Sequence, residues 1–262
     1  DFTYSTGYDQ SYNGGLHDAF VAKLDSSGSF VYLTYLGGSR SDFAQSLAVD
    51  NSGSAYVTGV TASNDFPYQN GYDNGHNGAA DAYNTFVSRL NATGSSLVYS
   101  TYLGTGQGMG IAVRSGGSAY AYVTGQITDD SSFQPTTGAY DDDFNGGGLD
   151  GYVAILNTAE TGTSSLAYAT YLGGNNADCE ASGVWWECSI AVNSNGTVFV
   201  AGPTASSDFP TRGAYQSTKG DGLDAFVVRL DPGSNGDNDL VASTFLGEDG
   251  DDCRQLCTIA LD

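Results

Sequence analysis

The chain has few of the residues that build helices. Its 262 residues include 4 Glu, 2 Lys and a single Met, although 26 are Asp and 37 are Gly. Glu, Lys and Met are strong helix formers, whereas the Tyr, Val, Thr and Phe that are common here favour strands. The composition therefore excludes helical bundles and helix-rich α/β folds and indicates an all-β protein.

Basic charge is also scarce. Eight Lys and Arg residues against 30 Asp and Glu residues give a formal net charge of −22. Such a charge repels phosphate backbones and anionic lipids and attracts cations. No apolar run approaches the ~18 residues that a membrane-spanning helix needs. We therefore expect neither nucleic-acid binding nor membrane insertion.

Several short phrases recur along the chain. YLGG occurs at 35–38 and 171–174, with altered copies at 102–105 and 245–248, and the leucines are 67, 69 and 74 residues apart. A phrase of the form LAVD follows each copy, and VTG or VAG follows three of these. A fixed period of this kind is the signature of a repeat architecture.

Each repeat reads as four short strands separated by turns. In the second repeat these are SLAVD, SAYVTGV, NTFVSRL and SLVYSTYLG, with NSG and NATG turns between strands. We predict one domain over residues 1–262, with units at about 1–38 (partial), 39–105, 106–174, 175–250 and 251–262 (partial). Four-stranded antiparallel sheets repeated in this way are the blades of a β-propeller, and a linear array of sheets is the alternative.

The phrases together resemble those of a known family. DAFVAKLD at 18–25, AYVTG at 55–59, DFP at 65–67 and YLGG at 35–38 are similar to the SBBP repeat, named for a seven-bladed β-propeller. The resemblance implies a propeller fold and a secreted or cell-surface location in bacteria or archaea. It implies no catalytic residues. The chain departs from the family in its longer repeats, its four cysteines and its four units.

The first and last segments hold complementary parts of one unit. Residues 1–38 contain the third and fourth strands, and residues 251–262 contain only a first strand, ending at IALD. Together they would form a fourth blade, shared between the termini, that lacks its second strand. Three explanations remain open: a fragment of a longer array, which we favour, an N-terminal FTYST segment that fills the gap, or a strand donated by another chain.

Four cysteines allow three disulfide connectivities. We favour Cys179–Cys188 and Cys253–Cys257, because equivalent positions in neighbouring blades should be far apart. The spacing of eight intervening residues in the first pair disfavours a zinc site. Disulfides indicate an oxidising compartment, so we expect an extracellular or cell-surface protein.

An acidic connector in the third unit resembles the start of a calcium-binding loop. Asp141, Asp143 and Asn145 fit the D-x-[DN]-x-[DN]-G pattern, and Asp150 follows, although no Glu completes an EF-hand. We predict a calcium site there. A tight turn is the alternative, since Asp, Asn and Gly are common turn residues.

Two further features are candidates for surface chemistry. Trp185 and Trp186 lie between the first two cysteines, where they would either form a glycan- or protein-binding surface or cap the core. Asn91 and Asn195 begin N-x-[ST] glycosylation sequons in predicted turns.

Catalytic groups are few. Only His17 and His76 are present, and neither a G-x-S-x-G nor an H-E-x-x-H motif occurs. We therefore expect a non-enzymatic extracellular structural or assembly module, such as a repeating subunit of a surface filament or sheath, with strands paired between subunits. The alternative is a carbohydrate- or protein-binding module of a larger surface protein. The expected partners are copies of the chain, other surface proteins or glycans.

Overall fold

The fold is built from strands. The computed structural model describes residues 6–114, 116, 119–129, 132–180, 188–248, 250–253 and 257–261. These ranges contain no α-helix and two short 3-10 helices, Gly162–Ser165 and Gly236–Asp239. The strands are β1 (Ala19–Leu24), β2 (Phe30–Leu36), β3 (Asp42–Val49), β4 (Ala55–Thr61), β5 (Asn84–Leu90), β6 (Leu97–Val113), β7 (Tyr120–Thr128), β8 (Leu149–Asn157), β9 (Leu166–Leu172), β10 (Ser189–Val192), β11 (Val198–Thr204), β12 (Asp224–Leu230) and β13 (Leu240–Leu246).

Within each sheet, every strand pairs antiparallel with the strands next to it along the chain. The sheets contain two strands (β1–β2), seven strands (β3–β9) and four strands (β10–β13). The long strand β6 joins two units, because its first half pairs with β5 and its second half pairs with β7. We call β1–β2 unit 1, β3 to the first half of β6 unit 2, the second half of β6 to β9 unit 3, and β10–β13 unit 4.

The antiparallel all-β prediction is confirmed, and the ring is not shown. Within the described ranges the three sheets do not close on one another, and only β10–β13 forms a separate four-stranded sheet. The predicted strand at the end of the chain is wrong for the described part of that segment, since residues 257–261 have no strand pairing. The segment nevertheless lies beside β10, where the Ile259 N–H donates to Ser189 Oγ at 2.8 Å. Ile111 and Ser46, which occupy the equivalent positions of earlier units, make the same contact, with the Ile111 N–H donating to Ser46 Oγ at 3.3 Å.

The glycine of the VTG phrase allows a bulge in the neighbouring strand. A Cβ on Gly59 would lie 2.0 Å from the carbonyl oxygen of Phe43, and one on Gly125 would lie 1.9 Å from that of Gln107. The partner strands change register beside these points, at Ala44/Ser46 and at Gly108/Gly110. Only glycine lets the two backbones approach this closely.

The hydrophobic core lies between consecutive units. Three buried clusters span unit 1 with unit 2, unit 2 with unit 3, and unit 3 with unit 4. In the first of these, Val21 and Leu36 of unit 1 pack with Phe86 and Leu90 of unit 2. A sheet buries its apolar face only against another layer, so each unit depends on its neighbours for its core.

Two equivalent turn glycines test this packing between units. Gly94 and Gly28 both have positive φ, of 65° and 82°. A Cβ on Gly94 would lie 2.2 Å from Cγ of Tyr32 in unit 1, whereas nothing lies within 4 Å of the same point on Gly28. We expect Gly28→Ala to cost roughly 1–2 kcal/mol for the left-handed backbone. Gly94→Ala should cost roughly 1–3 kcal/mol more, because it also displaces the Tyr32 ring.

Urea unfolding of the two variants and the parent chain measures the difference. Equal losses of stability would show that the turn of unit 2 does not depend on its contact with unit 1.

Candidate functional site

The first glycine of the YLGG phrase lies against two aspartates in three of the four units. We call these the acid pairs. They are Asp18 and Asp42 at Gly37, Asp150 and Asp178 at Gly173, and Asp224 and Asp252 at Gly247. The first member of each pair lies at or beside the start of β1, β8 or β12. The second member lies five residues after the glycine, where the chain passes to the next unit.

The geometry is clearest between units 3 and 4. A Cβ on Gly173 would lie 2.8 Å from both Asp150 Oδ1 and Asp178 Oδ2, so the two carboxyl groups approach the same space beside the glycine. Neither aspartate has any exposed surface. The Asp178 N–H donates to the Leu149 carbonyl oxygen at 3.0 Å, which ties the second aspartate to the start of the strand that carries the first.

The two carboxyl groups differ in their hydrogen bonds. Asp178 Oδ2 accepts from the Gly174 N–H at 2.7 Å and from Ser206 Oγ at 2.9 Å, and its Oδ1 accepts from Thr204 Oγ1. Asp150 Oδ2 accepts from the Asn145 N–H at 2.6 Å. Asp150 Oδ1 is buried without a hydrogen-bond partner in the part of the chain that the structure describes.

The same oxygen is unpaired in all three acid pairs. Within the described residues, Oδ1 of Asp18, of Asp150 and of Asp224 is buried and has no hydrogen-bond partner. These are equivalent positions in the repeat. An unsatisfied buried acceptor costs roughly 1–3 kcal/mol, and more when it is charged. Because the same oxygen is unpaired at three equivalent positions despite this cost, the unpaired oxygen is a feature of the repeat.

Burial changes the acidity of these groups. It raises the pKa of Asp150 to about 7, and the charge of Asp178 adds to this shift, while the hydrogen bond from the Asn145 N–H opposes it. Burial also raises the pKa of Asp178 and that of Asp42 to about 6. A buried carboxyl group beside a second carboxyl group favours its neutral form, because burial and like charge both act against ionisation.

The joint between units 2 and 3 has no acid pair. Asn84 stands at the position of the first aspartate. Gly106 stands at that of the second, because it pairs with Ile127 as Asp42 pairs with the equivalent Thr61. The Asn84 amide is satisfied, since its Nδ2 donates to the Asn77 carbonyl oxygen at 2.9 Å and its Oδ1 accepts from the Asn77 N–H at 2.9 Å. This joint is also the one that β6 crosses as a continuous strand. The acid pairs thus occur where the chain passes between units as a loop.

The predicted calcium loop is closed by its own hydrogen bonds. Asn145 Nδ2 donates to Asp141 Oδ2 at 2.7 Å, and the Asp143 N–H donates to Asp141 Oδ1 at 3.1 Å. No three His, Cys, Asp or Glu side chains among the described residues are grouped so that they could hold a metal ion. Asp150 faces Asp178 across Gly173. Calcium binding at Asp141, Asp143, Asn145 and Asp150 remains a prediction.

Sequence reasoning missed Asp42 and Asp178. Their signal is an aspartate at a fixed distance after YLGG, as in Gly37 to Asp42 and Gly173 to Asp178. The two members of each pair come from different phrases, so only the comparison of all four units reveals them.

The other candidate residues have different outcomes. The structure contains both favoured disulfides, Cys179–Cys188 and Cys253–Cys257. Trp185 and Trp186 lie outside the described residues.

The two sequons lie in turns with different environments. Asn91 is half-buried, and its side chain binds within its own turn, where Oδ1 accepts from the Ser95 N–H at 3.0 Å. Asn195 is exposed. Glycosylation of either residue remains a prediction.

The strands, phrases and joints together allow comparison with known proteins. Residues 31–67 match the family model described as a beta-propeller repeat, SBBP. This segment is similar to an SBBP repeat. The matched segment runs from β2 through β3 and β4 to the DFP phrase, so the SBBP match includes Asp42 and the first acid-pair glycine, Gly37. No similarity to a curated protein was found for the chain. Among the described residues, no helix is long and apolar enough to cross a membrane.

The raised pKa values predict that the stability of the chelator-treated protein falls, rather than rises, as the pH increases above the ordinary Asp value. The folded state holds the protons of Asp150 and Asp178 more tightly than the unfolded chain does. Stability should therefore fall as the pH rises from the ordinary Asp value of 3.8 to about 7. The hydrogen bond from Ser27 lowers the pKa of Asp25, so ionised Asp25 stabilises the folded state. That stabilisation is lost only as the pH falls below 3.8.

Urea unfolding at pH 5 and pH 8, in EDTA, measures this effect. Asp150→Asn should reduce the loss between the two pH values, and Asp142→Asn, an exposed acid of the same connector, should leave it unchanged. A parent chain that is more stable at pH 8 than at pH 5 would contradict the assignment.

Proposed function

We propose that the chain is a non-enzymatic extracellular structural module that associates end to end with a second copy. The contact would join two surfaces. The leading face is the side of unit 1 that carries Leu24, and the trailing face is the side of unit 4 that carries Tyr215 and Leu246. The coarser conclusion, a binding or structural module of the β-propeller repeat type, follows from the family match at 31–67.

The leading face is an uncovered copy of a buried surface. Leu24 is 53% exposed, whereas the equivalent Leu90, Leu156 and Leu230 are fully buried. These three leucines belong to the clusters that join their units to the preceding units. Unit 1 therefore presents outward the surface that units 2, 3 and 4 bury.

The trailing face shows the same contrast. Leu246 is 42% exposed, whereas the equivalent Leu36, Leu103 and Leu172 are at most 1% exposed. Tyr215 is 90% exposed, while the equivalent Tyr140 packs on the cluster between units 3 and 4. An open cavity of about 850 Å³ lies beside Tyr215, Leu246 and Asp252. Apolar surface of this kind is stabilised when a partner covers it.

The two faces are complementary because the chain already joins them internally. A leading face packs on a trailing face at each of the three internal joints, and this is the observation that carries the proposal. Contact between the leading face of one copy and the trailing face of another would repeat that joint. A head-to-tail contact of this type forms a ring when its rotation closes and a filament when it does not.

Two further observations support the location and the absence of a catalytic role. The two disulfides favour an oxidising, extracellular compartment. Both histidines have structural contacts: the His17 ring lies 4.9 Å from that of Phe43, and His76 Nε2 lies 2.9 Å from the Ala82 carbonyl oxygen.

Light scattering over a wide concentration range tests the assembly. The parent chain should form larger species as its concentration rises. Leu24→Asp should lower the association constant by at least roughly tenfold, because a charge would be buried in place of a leucine. Leu47→Asp is the matched control, since Leu47 is 49% exposed but lies on β3 of unit 2.

A parent chain that stays monomeric at every concentration would overturn the proposal. Equal losses of association in Leu24→Asp and Leu47→Asp would show that the leading face is not the contact surface.

A second function is favoured by a groove between units 3 and 4. A cavity of about 400 Å³ is lined by Tyr120, Tyr122 and Tyr168, and the Arg114 guanidinium lies 5.9 Å from the Tyr120 ring centre. Tyrosine rings beside a charged donor suit a carbohydrate or a protein side chain. Tyr120→Ala should abolish glycan-array binding by the parent chain, whereas Tyr83→Ala, an exposed position outside the groove, should retain it.

A further inference from the structure

Each acid pair contains at least one buried carboxyl oxygen without a hydrogen-bond partner among the described residues, and such an oxygen calls for a ligand. Asp150 has no exposed surface, and its Oδ1 lies 2.8 Å from the point that a Gly173 Cβ would fill. Asp178 Oδ2 lies at the same distance from that point. Glycine leaves open the space that both carboxyl groups face.

A third carboxylate is tied to the first member of two of the pairs. Asn145 donates from its N–H to Asp150 Oδ2 at 2.6 Å and from its Nδ2 to Asp141 Oδ2 at 2.7 Å. In unit 1, Asn13 makes the same two bonds, to Asp18 Oδ2 at 2.6 Å and to Asp9 Oδ2 at 2.7 Å. A third aspartate is therefore linked through one asparagine to each of these two pairs, in a chain of net charge −22.

The charges decide which ligand is suitable. One proton shared by a pair would leave one of its two carboxylates charged, whereas a divalent cation balances both negative charges. Carboxylate oxygens are hard ligands of the kind that Ca²⁺ prefers, with backbone carbonyls and waters completing its coordination. Among the described residues no group of three His, Cys, Asp or Glu side chains could hold a metal ion, so each proposed site has two carboxylate ligands.

We propose that the acid pairs Asp18–Asp42 and Asp150–Asp178 each bind one calcium ion at the joint between consecutive units. The ion lies between the two carboxyl groups beside the YLGG glycine. It thereby links the start of a strand in one unit to the chain entering the next unit. This site is distinct from the Asp141–Asn145 loop. In that loop, Asn145 Nδ2 already donates to Asp141 Oδ2 and to the Asp143 carbonyl oxygen.

The repeat contains its own comparison sites. At the joint between units 2 and 3 both acids are absent and β6 runs through, so a cation has no ligands there and none is needed to hold the units together. At the third pair, the Lys219 ammonium already donates to the Gly220 carbonyl oxygen at 3.0 Å and to that of Gly222. The Gly220 N–H in turn donates to Asp224 at 3.1 Å. A lysine ammonium is thus already bound in the connector that leads to the third pair. For this reason we limit the proposal to the first two pairs.

Calorimetric titration of the chelator-treated chain with calcium chloride tests the sites. We expect two equivalents to bind, and Asp42→Asn and Asp178→Asn each to lose one of them. Asp142→Asn should retain both. Asp143→Ala should also retain both, whereas a site in the predicted loop would lose one equivalent in this variant, because alanine has no ligand oxygen.

Thermal unfolding provides a second readout. Calcium at about a hundred times its dissociation constant should raise the melting temperature of the parent chain by roughly 5–10 °C, and EDTA should reverse the rise. Each Asn variant should show a smaller rise. In EDTA at pH 8 the variants should melt no lower than the parent, because they remove a buried like charge, so loss of the calcium response would not come from misfolding.

Two results would overturn the proposal. If calcium changes neither the heat nor the melting temperature of the parent chain, the pairs hold a proton instead. If Asp42→Asn and Asp178→Asn both bind as many equivalents as the parent, the ions bind elsewhere on the acidic surface. Carrying out the titration in the Leu24→Asp background separates cation binding from assembly.

Discussion

The structure depends on the packing of each unit against the next. No unit buries its apolar surface alone, because the core consists of three clusters that lie between units. Leu90, Leu156 and Leu230 are fully buried only because another unit precedes each of them. Leu24 of unit 1 and Leu246 of unit 4, at positions that the other units bury, pack against no further unit among the described residues and are exposed. The packing that holds the fold together is also the packing through which copies would associate.

The joints add an electrostatic constraint to this packing. Where the chain loops between units, two aspartates meet beside the YLGG glycine, and burial raises the pKa of Asp42, Asp150 and Asp178. Where β6 crosses without a loop, the positions hold Asn84 and Gly106 and the buried charge is gone. A continuous strand supplies the connection through backbone hydrogen bonds. At the looped joints the carboxyl groups lie where a cation or a proton can make the connection.

Much of the fold could be predicted from the sequence, because the local signals repeat. The alternation in NTFVSRL and the NATG turn place β5 and the start of β6 correctly, since both depend on neighbouring residues alone. The prediction that SLVYSTYLG is the separate last strand of the second repeat is wrong, because β6 continues to Val113. IALD repeats the sequence of a first strand and is not paired within the described residues, because a strand also needs a partner at hydrogen-bonding distance. A local sequence pattern cannot supply that partner.

The sequence by itself determined the strand content, the period, the turns and the pairing of nearby cysteines, since all of these arise from residues a few positions apart. Only the tertiary structure decided which acids meet. Asp150 and Asp178 are 28 residues apart in the sequence and converge because antiparallel strands return β9 to the start of β8. It also decided which leucines are covered, since Leu24 and Leu90 occupy the same position in the repeat and only Leu90 packs against a preceding unit. Burial and the approach of distant charges are properties of packing, which a repeat can suggest and only the folded chain determines.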